Sequence, residues 1–438
     1  MLLSFSVDNY RSFKDKITFS MIPAQKQKGL DYSILHETAG GKEYKGLCSA
    51  IVYGPNASGK SNLISAMQLL KILSERGHIR NVPPYNISTL FWMLELIPNN
   101  SLTEPKPVSF SITFIDEGIL FTYSLSIDLG LFLAKEYHRK VLSETLEINQ
   151  KIVFERIDNT VSFGNLNSLS SYLSFDTKKD IKVLQTIAQN SLVDEELFLS
   201  NGFKTIISTK LAGIIQQYFQ DKFKPFYHAD NLEYNPFSPL KFNTIPKSLE
   251  LAVKDFGVNT NQLIYVKDQT DSERSILCSV MENGRCIPAV DFESYGTIRF
   301  VNMFPMVAKA IQFGTTVIID EFDSSIHPMA IMSLINIFHN DEINVHHAQL
   351  IFNTHNPLYL NNNLFRRDEI KFIDRDDETK CSRHYSLSDF GTKGTNARKG
   401  KDYMNNYFIN QYGAIRDIDF SDIFKKISEE PAWLKRQS

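Results

Sequence analysis

No stretch of this chain holds the run of about eighteen apolar residues that a membrane helix requires, so no span is expected. Cysteine is scarce. Cys48, Cys278, Cys286 and Cys381 are the four in 438 residues, scattered and without a C-x-x-C pair. That argues against a zinc site or a disulfide framework and fits a reducing, cytoplasmic setting. The N-terminus alternates apolar and polar residues, which is not a signal-peptide pattern. The formal net charge is only -3, which excludes a strong overall field for nucleic acid or an anionic membrane. Long heptad arrays are missing, so no extended coiled coil is expected. Internal repeats and low-complexity linkers are missing too. One composite domain, split in sequence by an insertion, fits better than a string of independent domains.

What the chain does hold is a hydrophobic fraction of 42%, ample for a core, with 32 Phe and 18 Tyr that point to many half-buried strands. Leu3, Phe5 and Val7, then Ile17 and Phe19, alternate with polar neighbours and predict two strands around residues 8–15. Residues 79–106 are rich in Pro and Asn and read as loop. Residues 108–115 and 119–127 alternate about the turn Asp116-Glu117-Gly118, which predicts a hairpin. Strands through 141–148 and 151–157 would extend it into an antiparallel meander. Residues 178–224 read as helical, with Leu211, Ile214, Ile215, Tyr218 and Phe219 at helical spacing, and 247–256 as another helix. After about residue 260 strand–helix alternation returns. Strands are expected at 315–319 and 350–353, and helices at 297–312 and 328–339, with Pro305 kinking or shortening the former. The expected class is α/β: a P-loop domain with a mixed sheet, an antiparallel β-meander and an inserted, mostly helical subdomain. The boundaries fall at 1–150 for an N-terminal lobe, 151–285 for the insertion and 286–438 for a C-terminal lobe.

The most informative stretch is Gly54-Pro55-Asn56-Ala57-Ser58-Gly59-Lys60-Ser61, which matches G-x-x-x-x-G-K-[ST]. An apolar run, residues 47–53, feeds it, and Leu63, Ile64, Met67 and Leu70 follow at helical spacing. This strand–loop–helix context is what a phosphate-binding loop requires. Its glycines let the backbone approach phosphates, and successive N–H groups with a helix N-terminus face the anion. Lys60 would reach the β- and γ-phosphates and the Ser61 hydroxyl would hold Mg²⁺. Asn62 completes this candidate ATP-binding set.

Thr316-Val317-Ile318-Ile319-Asp320-Glu321 is an apolar strand ending in two carboxylates, a Walker B pattern. Asp320 would emerge beside the P-loop in a parallel sheet and hold Mg²⁺, and Glu321 would polarise an attacking water as general base. Asn353-Thr354-His355 follows the next strand, where His355 can reach a γ-phosphate. Ser294-Tyr295-Gly296-Thr297 precedes an apolar helix. A serine there is also a common N-cap, but a hydroxyl, a glycine and a helix N-terminus together make a second anion-binding constellation.

Taken together these residues resemble the ABC-type ATPases. The resemblance implies that Ser294, Gly296 and Thr297 form the signature motif, acting in trans on ATP held by the P-loop of a second subunit. It also implies that Asp323 and Ser324, with Ser325, form a D-loop and that His355 is the H-switch. Tyr295 departs from the small or acidic residue often found there, and no Q-loop glutamine can be placed. Gln68 lies within the P-loop helix and is a poor candidate. Asn9-Tyr10-Arg11-Ser12-Phe13 resembles an N-terminal element of the soluble branch that includes SMC, RecF and OLD-type proteins, which implies that Arg11 approaches the nucleotide.

Within that branch the chain resembles the bacterial RloA/AbiLi-like ATP-binding proteins. Matching pieces include Glu293–Thr297, Asp320-Glu321-Phe322-Asp323 with His327-Pro328, Arg367-Asp368-Glu369-Ile370 and Gln411-Tyr412-Gly413-Ala414-Ile415. The implied function is a slow ATPase switch with ATP and Mg²⁺. It would be a head-to-tail homo-oligomer that controls a separate effector, a toxin or nuclease, in anti-phage defence. The alternative is an SMC/RecF-like ATPase acting on DNA. Lys371, Arg375, Lys380, Arg383, Lys393, Arg398, Lys399 and Lys401 make the C-terminal region locally basic, which suits phosphate contacts or a solvated surface alike. A self-contained toxin ranks third, because no second catalytic centre is legible.

Overall fold

The computed structural model describes residues 1–80, 96–130, 138–173, 180–227, 242–257, 262–267, 275–390 and 402–429, apart from 26, 28 and 417. Residues 81–95 of the expected loop therefore lie outside the described residues, as do Lys393, Arg398, Lys399 and Lys401.

The first strands are β1 (Leu2–Asp8), β2 (Ile17–Ser20), the β3 (Ile34–Ala39) and β4 (Lys42–Leu47) hairpin, and β5 (Ser49–Tyr53), followed by helix α1 (Lys60–Arg76). The meander is β6 (Val108–Asp116), β7 (Ile119–Asp128), β8 (Lys140–Ile148), β9 (Lys151–Ile157) and β10 (Thr160–Phe163). It joins β1 and β2 in one antiparallel sheet ordered β10-β9-β8-β7-β6-β1-β2. The β6–β7 turn pairs Asp116 with Ile119, and Glu117 and Gly118 take φ 48° and 70°. Two left-handed residues are what a tight hairpin turn needs to match strand twist. Alternation sends Phe110, Ile112 and Phe114 into the core. On the other face, hydroxyls pair across the strands: Ser109 with Ser126, Ser111 with Ser124 and Thr113 with Thr122.

The insertion is helical over α2 (Ile181–Asn190), a π-helical stretch Leu199–Ile207, and α3 (Thr209–Gln217). It then contributes β11 (Phe223–Phe226) to the central sheet. It then turns to β around one helix, α4 (Lys247–Asp255): β12 (Phe242–Thr244) before it, and β13 (Gln262–Lys267), β14 (Ser275–Val280) and β15 (Cys286–Pro288) after it, form a separate antiparallel sheet. Strand–helix alternation thus resumes later than about residue 260. Short runs such as Leu263–Tyr265 do not reveal from sequence alone whether they pair locally or join the main sheet.

The C-terminal lobe holds α5 (Tyr295–Phe313), β16 (Thr316–Ile319), α6 (Pro328–Phe338), β17 (Gln349–Asn353), β18 (Ile370–Arg375), β19 (Ser382–Ser386), α7 (Tyr403–Phe408) and α8 (Ser421–Glu429). Helix α5 runs through Pro305 instead of being shortened by it. The proline removes one N–H, but packing on both sides keeps the helix continuous: Val301, Met303 and Val307 are buried in the core. The central sheet runs β11-β16-β17-β5-β18-β19, with β11, β16, β17, β5 and β18 paired in parallel and β19 antiparallel at the edge. Its strands are buried on both faces. Val52, Ile318, Ile351 and Ile373 pack toward α1 and the meander, while Tyr53, Val317, Ile319, Phe352 and Phe372 pack toward α4, α5 and α6. A parallel sheet covered this way accounts for the uninterrupted apolar runs seen in the sequence.

Meander and insertion are joined by a buried carboxylate. Glu144 accepts hydrogen bonds from the backbone N–H groups of Phe198 and Leu199, at 2.6 and 2.8 Å, and from the Tyr123 hydroxyl at 3.0 Å. Burial pushes its pKa up, and those donors with Arg156 pull it back. Glu144→Ala strands three buried donors, so it is expected to destabilise the fold by about 3 kcal/mol. A lower urea midpoint, partly restored by Glu144→Gln, would show this. An unchanged midpoint would mean that water replaces the carboxylate.

Candidate functional site

Parallel pairing puts the C-terminal ends of β5, β16 and β17 side by side, and ligands of open α/β sheets bind at such ends. Each strand hands its loop a functional group: β5 the P-loop, β16 Asp320-Glu321, and β17 Thr354-His355. Sequence distances of some 260 and 300 residues collapse here. The Ser61 hydroxyl donates to Asp320 Oδ1 at 3.0 Å, pairing the two expected Mg²⁺ ligands.

The P-loop shape follows from its residues. Gly59 has φ +108°, open only to glycine, and a Cβ there would lie 2.5 Å from Ser12 Oγ and 2.6 Å from Ser382 Oγ. The Asn9–Phe13 element therefore packs directly on the loop. Asn62 Nδ2 donates to Ser12 Oγ at 2.8 Å, and the Ser382 hydroxyl to the Ser58 carbonyl. Pro55, Asn56 and Ala57 form the outer turn, Asn56 and Ala57 exposed. Lys60 is buried and donates to the carbonyls of Gly54 at 2.7 Å and Pro55 at 3.1 Å. Burial lowers its pKa to about 8, against the pull of Asp320 and Glu321. His355 is exposed to the site, and desolvation with the nearby Lys60 cation lowers its pKa.

Arg11 sits at φ +49° and its Nη1 donates to the Tyr227 hydroxyl at 3.1 Å. Tyr227 directly follows β11, the strand beside β16, and its N–H is accepted by Gln68 Oε1 at 2.9 Å. Gln68 thus lies behind that strand end instead of providing a loop of its own.

Ser294, Gly296 and Thr297, the expected signature residues, are brought to a different neighbour. Ser294 Oγ caps α5 by accepting from Thr297 N at 3.1 Å, leaving Ser294 and Tyr295 exposed and Thr297 buried. Gly296 lies against the segment after Walker B: a Cβ there would be 2.2 Å from the Ser325 carbonyl oxygen. Asp323 accepts from Thr354 Oγ1 at 2.7 Å, tying the Asp323-Ser324 turn to the residue before His355. Burial raises the Asp323 pKa, opposed by that bond and by Arg299.

Two residues escaped sequence reading as parts of the site. Asn353 donates through Nδ2 to Asp320 Oδ1 and accepts the Glu321 N–H on Oδ1, so one amide clamps both carboxylate residues. Its signal was an amide ending an apolar strand. Arg299, buried on α5, donates through Nη2 to the Glu321 carbonyl. One charge in an apolar helix gave no such signal. Lys371 is also corrected: it is buried, with its pKa lowered to about 8 by desolvation, so it offers nothing to a nucleic-acid phosphate.

The donor set fits Mg-ATP. Ser61 and Asp320 are the hard oxygen ligands that would hold Mg²⁺, which neutralises phosphate charge when bound, and a loop of N–H groups with Lys60 suits the phosphates. Fold and site together define a P-loop nucleotide-binding domain of the ATPase type. More closely, the chain belongs to the family described as "AAA domain, putative AbiEii toxin, Type IV TA system", which matches residues 49–361. No curated protein matches it. Among solved structures, the SMC head domain from Thermotoga maritima is 13% identical with a TM-score of 0.34, covering 88% of this chain and 98% of that one. SmcHead bound to the C-winged helix domain of ScpA is 10% identical with a TM-score of 0.36, covering 90% and 98%. Among the described residues no helix is long and apolar enough to cross a membrane.

Proposed function

We propose that this chain is an ATP-driven switch of the RloA/AbiLi kind. Two copies close head to tail on two ATP molecules, and slow hydrolysis reopens them to control a separate effector in anti-phage defence. The observation that carries it is the exposure of the signature surface. Ser294 and Tyr295 face solvent, as do Val290 and Phe292 just before them, and Met329 and Leu358 near the D-loop and His355. Exposed apolar side chains close in sequence to the expected phosphate-binding residues are what a second copy would cover.

In the closed pair, Lys60 and the loop N–H groups hold the phosphates of ATP and Ser61 and Asp320 hold Mg²⁺. Glu321 takes a proton from the attacking water, and His355 contacts the γ-phosphate. Ser294, Gly296 and Thr297 of the other copy complete the site. ATP shifts the equilibrium because only the closed state makes those trans contacts. The effector role rests on the family's toxin–antitoxin name and on the resemblance. The SMC/RecF-like alternative finds less basic surface than its sequence promised, since Lys371 is internal.

Light scattering on Glu321→Gln tests this reading. Mass is expected to double, or rise to a multiple, on adding Mg-ATP, and to stay low when Ser294→Arg is added. A mass that ATP leaves at the single-chain value would refute the trans assembly.

A further inference from the structure

The proposed assembly leaves open how one copy's grip on its partner's ATP affects its own hydrolysis. The turn after Walker B is unusual. Glu321 has φ +50° and Ser325 has φ +61°, both left-handed at non-glycine residues. Such positions persist only when neighbours hold them. Three holds are visible. Asn353 takes the Glu321 N–H, Arg299 donates to the Glu321 carbonyl, and Gly296 lies flat on the Ser325 carbonyl. Two of the three come from α5, whose first turn is the signature. Arg299 lies five residues, about one and a half turns, from Ser294. The base is thus held in its backbone by the same rigid helix that would engage ATP in the other copy.

We propose that Arg299 is a positioning residue that ties each copy's signature helix to its own Glu321, so that engaging the partner's ATP sets the base of the first copy. This rests on the trans reading above. Displacing α5 moves the guanidinium, and with it the Glu321 carbonyl and the direction of its side chain. Arg299 at the Glu321 carbonyl and Gly296 at the Ser325 carbonyl join both ends of the turn to α5, and the same cation partly opposes the burial that raises the Asp323 pKa between them. Each site is then competent only when its own signature is engaged, and the two sites fire as a pair.

The test is steady-state hydrolysis by the full chain. In Arg299→Ala, kcat is expected to fall at least ~30-fold. KM and ATP-driven mass growth in the Glu321→Gln background should change by less than about threefold. The Hill coefficient for ATP should fall from about 2 toward about 1. Arg299→Lys, which keeps a donor and the charge, should recover part of kcat. Unchanged kcat, or loss of kcat, KM and mass growth together in a folded Arg299→Lys chain, would overturn the inference, the second by showing a merely structural role. If Arg299→Ala fails to fold, Arg299→Gln is read by the same criteria. Wild-type turnover separates the two failures: its absence overturns the ATPase reading and this inference with it, whereas normal turnover in both wild type and Arg299→Ala overturns this inference alone.

Discussion

Lys60→Ala is expected to weaken ATP binding at least ~100-fold while leaving the fold intact. The ammonium would make charge-assisted hydrogen bonds to phosphate, and losing about 3 kcal/mol of such contacts is a hundredfold in affinity. Without ATP, Lys60 holds only two carbonyls of its own loop and bears the cost of its burial. Removing it should therefore move the thermal midpoint of the unliganded chain very little. The same side chain predicts a pH dependence. Its pKa is lowered to about 8, so it loses its proton as pH rises through that value. Bound ATP adds negative charge and raises the pKa, so binding above pH 8 must take up a proton. Affinity is expected to be flat below about pH 7 and to fall by up to tenfold per unit above about pH 8. Isothermal titration at pH 7 and 9, with Lys60→Ala as the flat reference, measures both effects. Equal affinity in wild type and variant would show that the phosphates lie elsewhere.

Glu321→Gln should slow hydrolysis by roughly 10²–10⁴-fold, the range typical of a lost general base. ATP affinity should hold, since Ser61, Asp320 and Asn353 keep their mutual contacts. The structure makes this substitution local. Neighbours grip the Glu321 backbone, while its side chain is exposed to the site. Glutamine fits the same left-handed backbone, so a changed rate reports chemistry and not refolding. Single-turnover hydrolysis with prebound ATP separates the step from binding. If the variant cleaved ATP at the wild-type rate, the base would lie elsewhere, with His355 the next residue to replace.

Local patterns were strong where the chain's own periodicity decides structure. The β6–β7 hairpin appeared with its turn at Asp116-Glu117-Gly118, because alternation and a glycine turn are local signals. Helix α1 ends at Arg76, where Gly77 takes φ 72° as a left-handed cap. Long-range pairing was less legible. The short run of β11 did not reveal that it pairs with β16, some ninety residues later, nor that Tyr227 would therefore stand beside Walker B.

The sequence by itself determined where the candidate site lies. A glycine loop with Lys60 and Ser61, and a buried strand ending in Asp320-Glu321, are marked by residue type and spacing, and those are fixed locally. Only the tertiary structure decided who holds the turn behind them. Asn353 spans Asp320 and Glu321, Ser12 and Ser382 close on Gly59, and Arg299 reaches from helix α5 to the Glu321 carbonyl. These contacts join residues that lie from about twenty to more than three hundred positions apart. Their partners are mostly backbone atoms and small polar side chains, which look alike at every position until packing in three dimensions brings one pair together.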